Sequence, residues 1–138
     1  MALFKRKQSH SFPPPHWSIT KKCLDLIFEC AKSSFPNEFG GMLKTSEGDK
    51  QLITEIVLLP GTIAGESHAL FQMHMRPIDF TVVGTVHSHP SPSSRPSEAD
   101  KQLFSKYGKV HIIVGMPYGY KSWSAYDYSG KKITIAVV

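Results

Sequence analysis

A β-branched, apolar run, Phe80–Val86, passes directly into His87-Ser88-His89-Pro90. Such a run reads as a central strand, and a proline at its end cannot donate the next ladder bond. A loop rich in Ser and Pro continues through Pro96. Ser97-Glu98-Ala99-Asp100 then opens a helix that runs to Tyr107, with Gly108 as its C-terminal cap. Strand, loop and helix in this order impose an α/β plan. They also allow the loop to fold back and bring the first helical turn beside the histidine pair.

The rest of the chain fits one domain built around that unit. At 138 residues it is long enough to bury a core without staples. Residues 1–15 read as a basic, Pro-rich tail, with Lys5, Arg6 and Lys7 and then Pro13-Pro14-Pro15, and the domain is expected to span 16–138. Ser18 offers an N-cap, and Ile19, Cys23, Leu26, Ile27, Cys30 and Ala31 recur at helical spacing, so a helix is expected up to about Ser34, before Pro36. Asn37–Leu43 reads as a turn leading into a strand, Gln51–Leu59 as a strand, and Ala69–Met75 as a weaker one. Val110–Val114, Lys121–Tyr128 and Lys132–Val138 complete the order α-β-β-β-α-β-β-β, which implies one mixed sheet with helices packed against it.

Several classes of function are set aside by composition. No apolar run reaches the roughly 18–20 residues of a membrane helix, and the basic N-terminus is followed by no apolar segment of a signal peptide. The cytoplasm is therefore the expected location, with no membrane partner. The net charge of +5 comes from scattered lysines rather than a basic stripe with interleaved aromatics, so nucleic acid is not the expected partner. Cys23 and Cys30 lie seven residues apart in one helix, about 10 Å along its axis, too far for a disulfide. They read as two buried thiols on one face and not as ligands. The sequence leaves a homo-oligomer open.

The chemistry lies between His87 and Asp100. Residues two apart in an extended segment point the same way, so His87 and His89 present their imidazoles to one point while Ser88 faces away. Asp100 adds a carboxylate. Two imidazoles and one carboxylate suit Zn²⁺, and three protein ligands leave the fourth tetrahedral position for water, the mark of a catalytic site. Hydrolysis also wants a carboxylate that is not a ligand, and Glu38, in the Glu-Phe-Gly-Gly turn, is the candidate general acid/base. Ser97 is the candidate oxyanion donor, although Ser97-x-x-Asp100 is equally a capping pattern. His10, His16, His68, His74 and His111 lack comparable spacing and are assigned to tail, surface or core, with a rim role open for His68 and His74.

Taken together, an upstream glutamate, His87-Ser88-His89-Pro90, Ser97 and Asp100 resemble the JAMM (MPN+) motif of zinc metalloproteases in residue type and spacing, over nearly all of 16–138. The resemblance implies one zinc ion on His87, His89 and Asp100, Glu38 as general acid/base and Ser97 at the oxyanion. It implies a curved mixed sheet flanked by helices, like that of the cytidine deaminases, although the Pro-Cys-x-x-Cys ligand pair of those enzymes is absent here. It further implies a peptidase or isopeptidase that cleaves after the C-terminal Gly-Gly of a ubiquitin-like protein or its conjugates. An extended Gly-Gly tail suits a narrow groove beside a sheet edge, for which Ala69–Met75 is the candidate. Val110–Val114 follows the metal helix almost at once, which resembles the compact prokaryotic and archaeal members. The alternatives carried beside this reading are trimming of a sulfur-carrier protein and a non-catalytic MPN scaffold.

Overall fold

The computed structural model describes residues 16–58 and 80–138. The expected tail and the candidate strand Ala69–Met75 lie outside the described residues, as do His10, His68 and His74. The elements are β1 (Ser18–Ile19), α1 (Lys21–Ser34), β2 (Gly40–Thr45), β3 (Leu52–Leu58), β4 (Val82–Ser88), α2 (Glu98–Lys106), β5 (Val110–Val114), β6 (Trp123–Asp127), β7 (Lys132–Ile133) and β8 (Ala136–Val137). They form one mixed sheet in the order β7-β6-β5-β4-β2-β3-β1-β8. The pairs β4–β5, β1–β3 and β1–β8 are parallel and the others antiparallel.

That order requires curvature. β7 and β8 occupy opposite ends of the sheet, yet Ile133 and Ala136 are three residues apart in the chain. Three residues reach at most about 11 Å, so the two edges must curl toward each other. The segment expected as one strand, Lys132–Val138, is thus two short ones on opposite edges. The N-terminal boundary also differs from expectation. Ser18 is paired in β1, in register with Leu52 and Ala136, and the N-cap is Thr20, whose hydroxyl accepts from Cys23 N–H at 3.1 Å.

The two helices cover the sheet on different faces. The buried face of α1 is Cys23, Leu24, Ile27, Phe28 and Ala31, packed in one cluster with Leu43, Ile53, Val86, Ile112 and Ala125. The buried stripe is rotated from the expected one: Leu24 and Phe28 are inside, while Leu26 is half exposed. Both cysteines are free, Cys23 buried and Cys30 partly so, and burial pushes the Cys23 thiol up to about 11. A thiol so disfavoured as thiolate is a poor metal ligand. Helix α2 packs through Leu103 against Met42, and through Phe104 against Ile113 and Tyr126. Alternation along β4 and β5 sorts the side chains. Val86, Val110, Ile112 and Val114 join the α1 cluster, while Ile113 joins the α2 side. β5 is buried along its whole length, as a central strand covered on both faces should be.

His111 lies on the α2 side and is a core residue. Its ring stacks on Phe104 at 4.4 Å between centroids. Nδ1 is 2.7 Å from Thr85 Oγ1 and Nε2 is 3.0 Å from the Gly108 carbonyl. Gly108 takes φ +114°, and a Cβ there would meet the Val83 carbonyl at 2.3 Å, so glycine is required where α2 turns into β5. No helix among the described residues is long and apolar enough to cross a membrane.

Burial drives the His111 pKa down to about 4, against the pull of its bond to the Gly108 carbonyl. Its folded value lies below its unfolded one, so the stability it supports is present above pH 6.5 and is lost as pH falls toward 4. At 1.36 kcal/mol per unit the effect is about 3 kcal/mol. Urea unfolding with chelator present, wild type against His111→Gln, should show the wild-type advantage shrinking by about that amount between pH 7 and pH 4. A constant difference across that range would contradict the burial of a neutral imidazole.

Candidate metal centre

The site is built where β4 ends and α2 begins. His87 closes the β4–β2 ladder opposite Gly40, and pairs with Ile113 one residue before the β4–β5 ladder ends at Ser88. Its side chain is 2% exposed. His89 lies just past the strand, held by its own N–H donating to the Val114 carbonyl at 2.9 Å and by the Tyr118 hydroxyl donating to the His89 carbonyl at 3.1 Å. The loop that follows is pinned to the β5–β6 end of the sheet. The Tyr126 hydroxyl donates to the Ser94 carbonyl at 2.7 Å, and Gly115 admits the loop so closely that a Cβ there would meet the Pro92 carbonyl at 2.8 Å.

Asp100 is held from its own helix. Ser97 is the N-cap of α2: its hydroxyl accepts from Asp100 N–H at 3.0 Å, and Asp100 Oδ2 accepts from Ser97 N–H at 2.9 Å. This capping box leaves the carboxylate facing the histidines, with Oδ1 3.2 Å from His87 Nε2 and Oδ2 3.2 Å from His89 Nε2. One ligand atom from each of the three residues lies within 4.8 Å of the others.

The electrostatics suit a cation. Burial by itself would push the Asp100 carboxyl up, but the two imidazoles and the Ser97 N–H together hold it well below the usual carboxylate range. The carboxylate is therefore ionised. The hydrogen bond to Asp100 raises the His89 pKa against its partial burial, with smaller contributions from the Ser93 carbonyl and the Glu38 charge. The His89 Nδ1–H donates to the Ser93 carbonyl at 3.0 Å, which aims Nε2 at Asp100 Oδ2 and the point the ligands share. His87 offers the sharpest test of fit. Among the described residues neither of its buried ring nitrogens has a hydrogen-bond partner, although Nε2 lies 3.2 Å from Asp100 Oδ1. An ion at Nε2 would satisfy that nitrogen. Two imidazoles and a carboxylate, with no thiolate, form a donor set for zinc with a coordination position to spare.

Glu38 lies within electrostatic range of the site. It lies in the short arm between α1 and β2, next to Phe39, whose ring is buried in the α1 cluster. The Glu38 charge is felt both at His89 and at Tyr118, whose hydroxyl is pushed up mainly by burial. Gly40 and Gly41, expected in a turn around Glu38, are instead the first residues of β2. The structure thus gathers His87, His89, Asp100 and Ser97 into one site and brings Glu38 within electrostatic range of it. His16 is exposed and His111 is core. Sequence reasoning did not find Tyr118 or the Ser93 carbonyl, because neither stands in a spacing that marks it.

Comparison with known proteins agrees with this geometry. The family model described as prokaryotic homologs of the JAB domain matches residues 20–126, well over half of the chain. The chain belongs to the JAMM/MPN family. A relative from Haloferax volcanii, described as a probable metalloprotease, is 38% identical over 120 residues, covering 82% of this chain and 74% of the relative. The solved structure described as "JAMM: A Metalloprotease-like Zinc Site in the Proteasome and Signalosome" is 39% identical with a TM-score of 0.70, over 89% of this chain and 98% of that one. A JAB1/MPN domain protein from Archaeoglobus fulgidus is 37% identical with a TM-score of 0.71, over 91% of this chain and all 100% of its own. The mixed, curled sheet is the fold of this JAMM group, as the motif implied.

Asp100→Ala should abolish zinc binding in equilibrium dialysis, weakening it by at least about 100-fold, since even an outer hydrogen-bond partner is worth about 10–100-fold. Loss of the bond from Ser97 N–H to the carboxylate should cost about 1 kcal/mol of stability while the Ser97 cap is kept, so the domain stays folded. Retained stoichiometric zinc in Asp100→Ala would move the ion elsewhere.

Proposed function

We propose that this chain is a zinc-dependent peptidase of the isopeptidase type, cleaving after the C-terminal Gly-Gly of a ubiquitin-like protein or its conjugates. The observation that carries the proposal is the buried His87 imidazole, without a hydrogen-bond partner among the described residues, converging with His89 and an ionised Asp100. His87 and His89 would hold zinc through Nε2 and Asp100 through a carboxylate oxygen. Bound there, zinc supplies a Lewis acid that lowers the pKa of water to about 7 and polarises the scissile carbonyl.

The remaining work belongs to the chain. Glu38, within electrostatic range of His89 and not a ligand, takes a proton from the attacking water and delivers it to the leaving amine. Ser97 Oγ is already an acceptor for Asp100 N–H, which orients the hydroxyl and leaves its own proton for the oxyanion developing on the carbonyl. The capping and catalytic readings of Ser97 are then one arrangement. Tyr118 and the Ser93 carbonyl hold His89 from the far side, so the ligands need not reorganise as charge develops. Only Tyr107–Lys109 separate α2 from β5, which favours a compact enzyme acting on a single modifier over one that grips a chain of them. Residues 16–138 are proposed as the catalytic unit and 1–15 as an appended tail.

Glu38→Gln should retain one zinc per chain and lose hydrolysis by about 10²–10⁴-fold. Mass spectrometry of a conjugate of the host's own ubiquitin-like protein, incubated with zinc-loaded wild type and Glu38→Gln, reads both. Release of the intact modifier ending in Gly-Gly by the wild type alone supports the proposal. Equal release by both removes Glu38 from the chemistry, and release of a trimmed carrier protein instead of a conjugated modifier changes the substrate.

A further inference from the structure

We infer that Ser88, between the two histidines, is a positioning residue that fixes Glu38 relative to the metal ligands. The inference rests on the proposed role of Glu38. Ser88 has no exposed surface, and its strand alternation turns it away from the imidazoles on either side of it. It faces the arm that carries Glu38. Ser88 N–H donates to the Phe39 carbonyl at 2.9 Å, and Phe39 N–H donates to Ser88 Oγ at 2.9 Å.

This pairing departs from an ordinary ladder. Two residues opposed in a hydrogen-bonded antiparallel pair exchange two backbone bonds. Phe39 and Ser88 continue the β2–β4 ladder one step beyond Gly40 and His87, but one of the two bonds ends on the side-chain hydroxyl. The contact is buried, so without that oxygen the Phe39 N–H has no acceptor and no solvent. The arm has few other ties. Asn37 N–H donates to the Ser34 carbonyl at 2.8 Å near the end of α1, and the Phe39 ring is set in the core. Ser88 Oγ is thus the attachment nearest Glu38 that also belongs to the strand bearing His87. One residue sets both the spacing of the ligands, through its backbone, and the distance to the acid/base, through its side chain. Displacement of a reacting group by about 1 Å can cost about 10²-fold in rate.

The test uses Co²⁺-substituted full-length protein and reads visible absorption against pH for wild type, Ser88→Ala, Ser88→Cys, Ser88→Thr, Glu38→Gln and Ser88→Ala/Glu38→Gln. Ser88→Cys nearly conserves volume with a weak acceptor, and it stands in if Ser88→Ala fails to fold. Every variant should bind one Co²⁺ with affinity within about twofold of wild type, since the three ligands are kept. Ser88→Ala or Ser88→Cys should move the pH midpoint of the band in the same direction as Glu38→Gln, by roughly half of that shift or more. Ser88→Thr should stay with the wild type, and in the Glu38→Gln background Ser88→Ala should add nothing. A midpoint unchanged by Ser88→Ala and Ser88→Cys but moved by Glu38→Gln overturns the inference and leaves Glu38 in place. Additive shifts in the double variant also overturn it, because a merely structural residue would act independently of Glu38. A midpoint that Glu38→Gln does not move overturns the role of Glu38 and that of Ser88 with it.

Discussion

Asp100 serves two structures at once. Its backbone N–H and carboxylate close the capping box at the head of α2, and the same carboxylate stands between the imidazoles at the end of β4. A helix start leaves unpaired N–H groups that favour negative charge, so the cap helps keep the carboxyl ionised despite burial. Everything else in the described fold bears on whether that helix end stays opposite that strand end. Phe104 lies one turn beyond Asp100 and stacks on His111, which in turn holds Thr85 of β4 and the Gly108 carbonyl after α2. The strand that bears the ligands and the helix that completes them are therefore tied together at both ends of α2.

The two faces of β4 divide the labour. The α2 face carries the imidazoles. The α1 face carries the packing cluster of Val86 and the Ser88 hydroxyl that receives the Phe39 N–H. A single extended strand can do this because its side chains alternate. The metal ligands gain a rigid backbone from the sheet, and the arm bearing Glu38 gains a fixed attachment from the opposite face. Loop 90–97 is long for a connection that must place a first helical turn within about an ångström, and bonds from Tyr126 and Ser124 to Ser94 hold it against β6.

Much of this was legible in the sequence. The strand, the Ser/Pro loop and the Ser97-x-x-Asp100 helix start are local patterns; the loop and the helix start stand at the expected residues, while the strand expected over Phe80–Val86 is Val82–Ser88. β3 and β5 were likewise visible as apolar runs. What was not legible depends on distant pairing. Ser18 looked like a helix cap because nothing local reveals that Leu52 and Ala136 flank it in a sheet. Lys132–Val138 looked like one strand because sequence does not show that the sheet's two edges approach each other. Leu26 was expected inside because its spacing suits the stripe. Leu24 and Phe28 complete the stripe instead, at three- and four-residue spacing with Ile27 and Ala31. At the site, residue types announced the ligands, while Tyr118 and the oxygens of Ser88 and Ser93 act through bonds that only register creates.

The most direct test of the central claim is X-ray absorption at the zinc edge of the loaded protein. One zinc per chain, with two imidazoles and oxygen ligands at about 2.0–2.2 Å and no scatterer at the about 2.3 Å of a thiolate, is the expected result. A sulfur ligand, which could come only from Cys23, Cys30 or a methionine, or a shell lacking two imidazoles, would contradict the assignment of His87, His89 and Asp100.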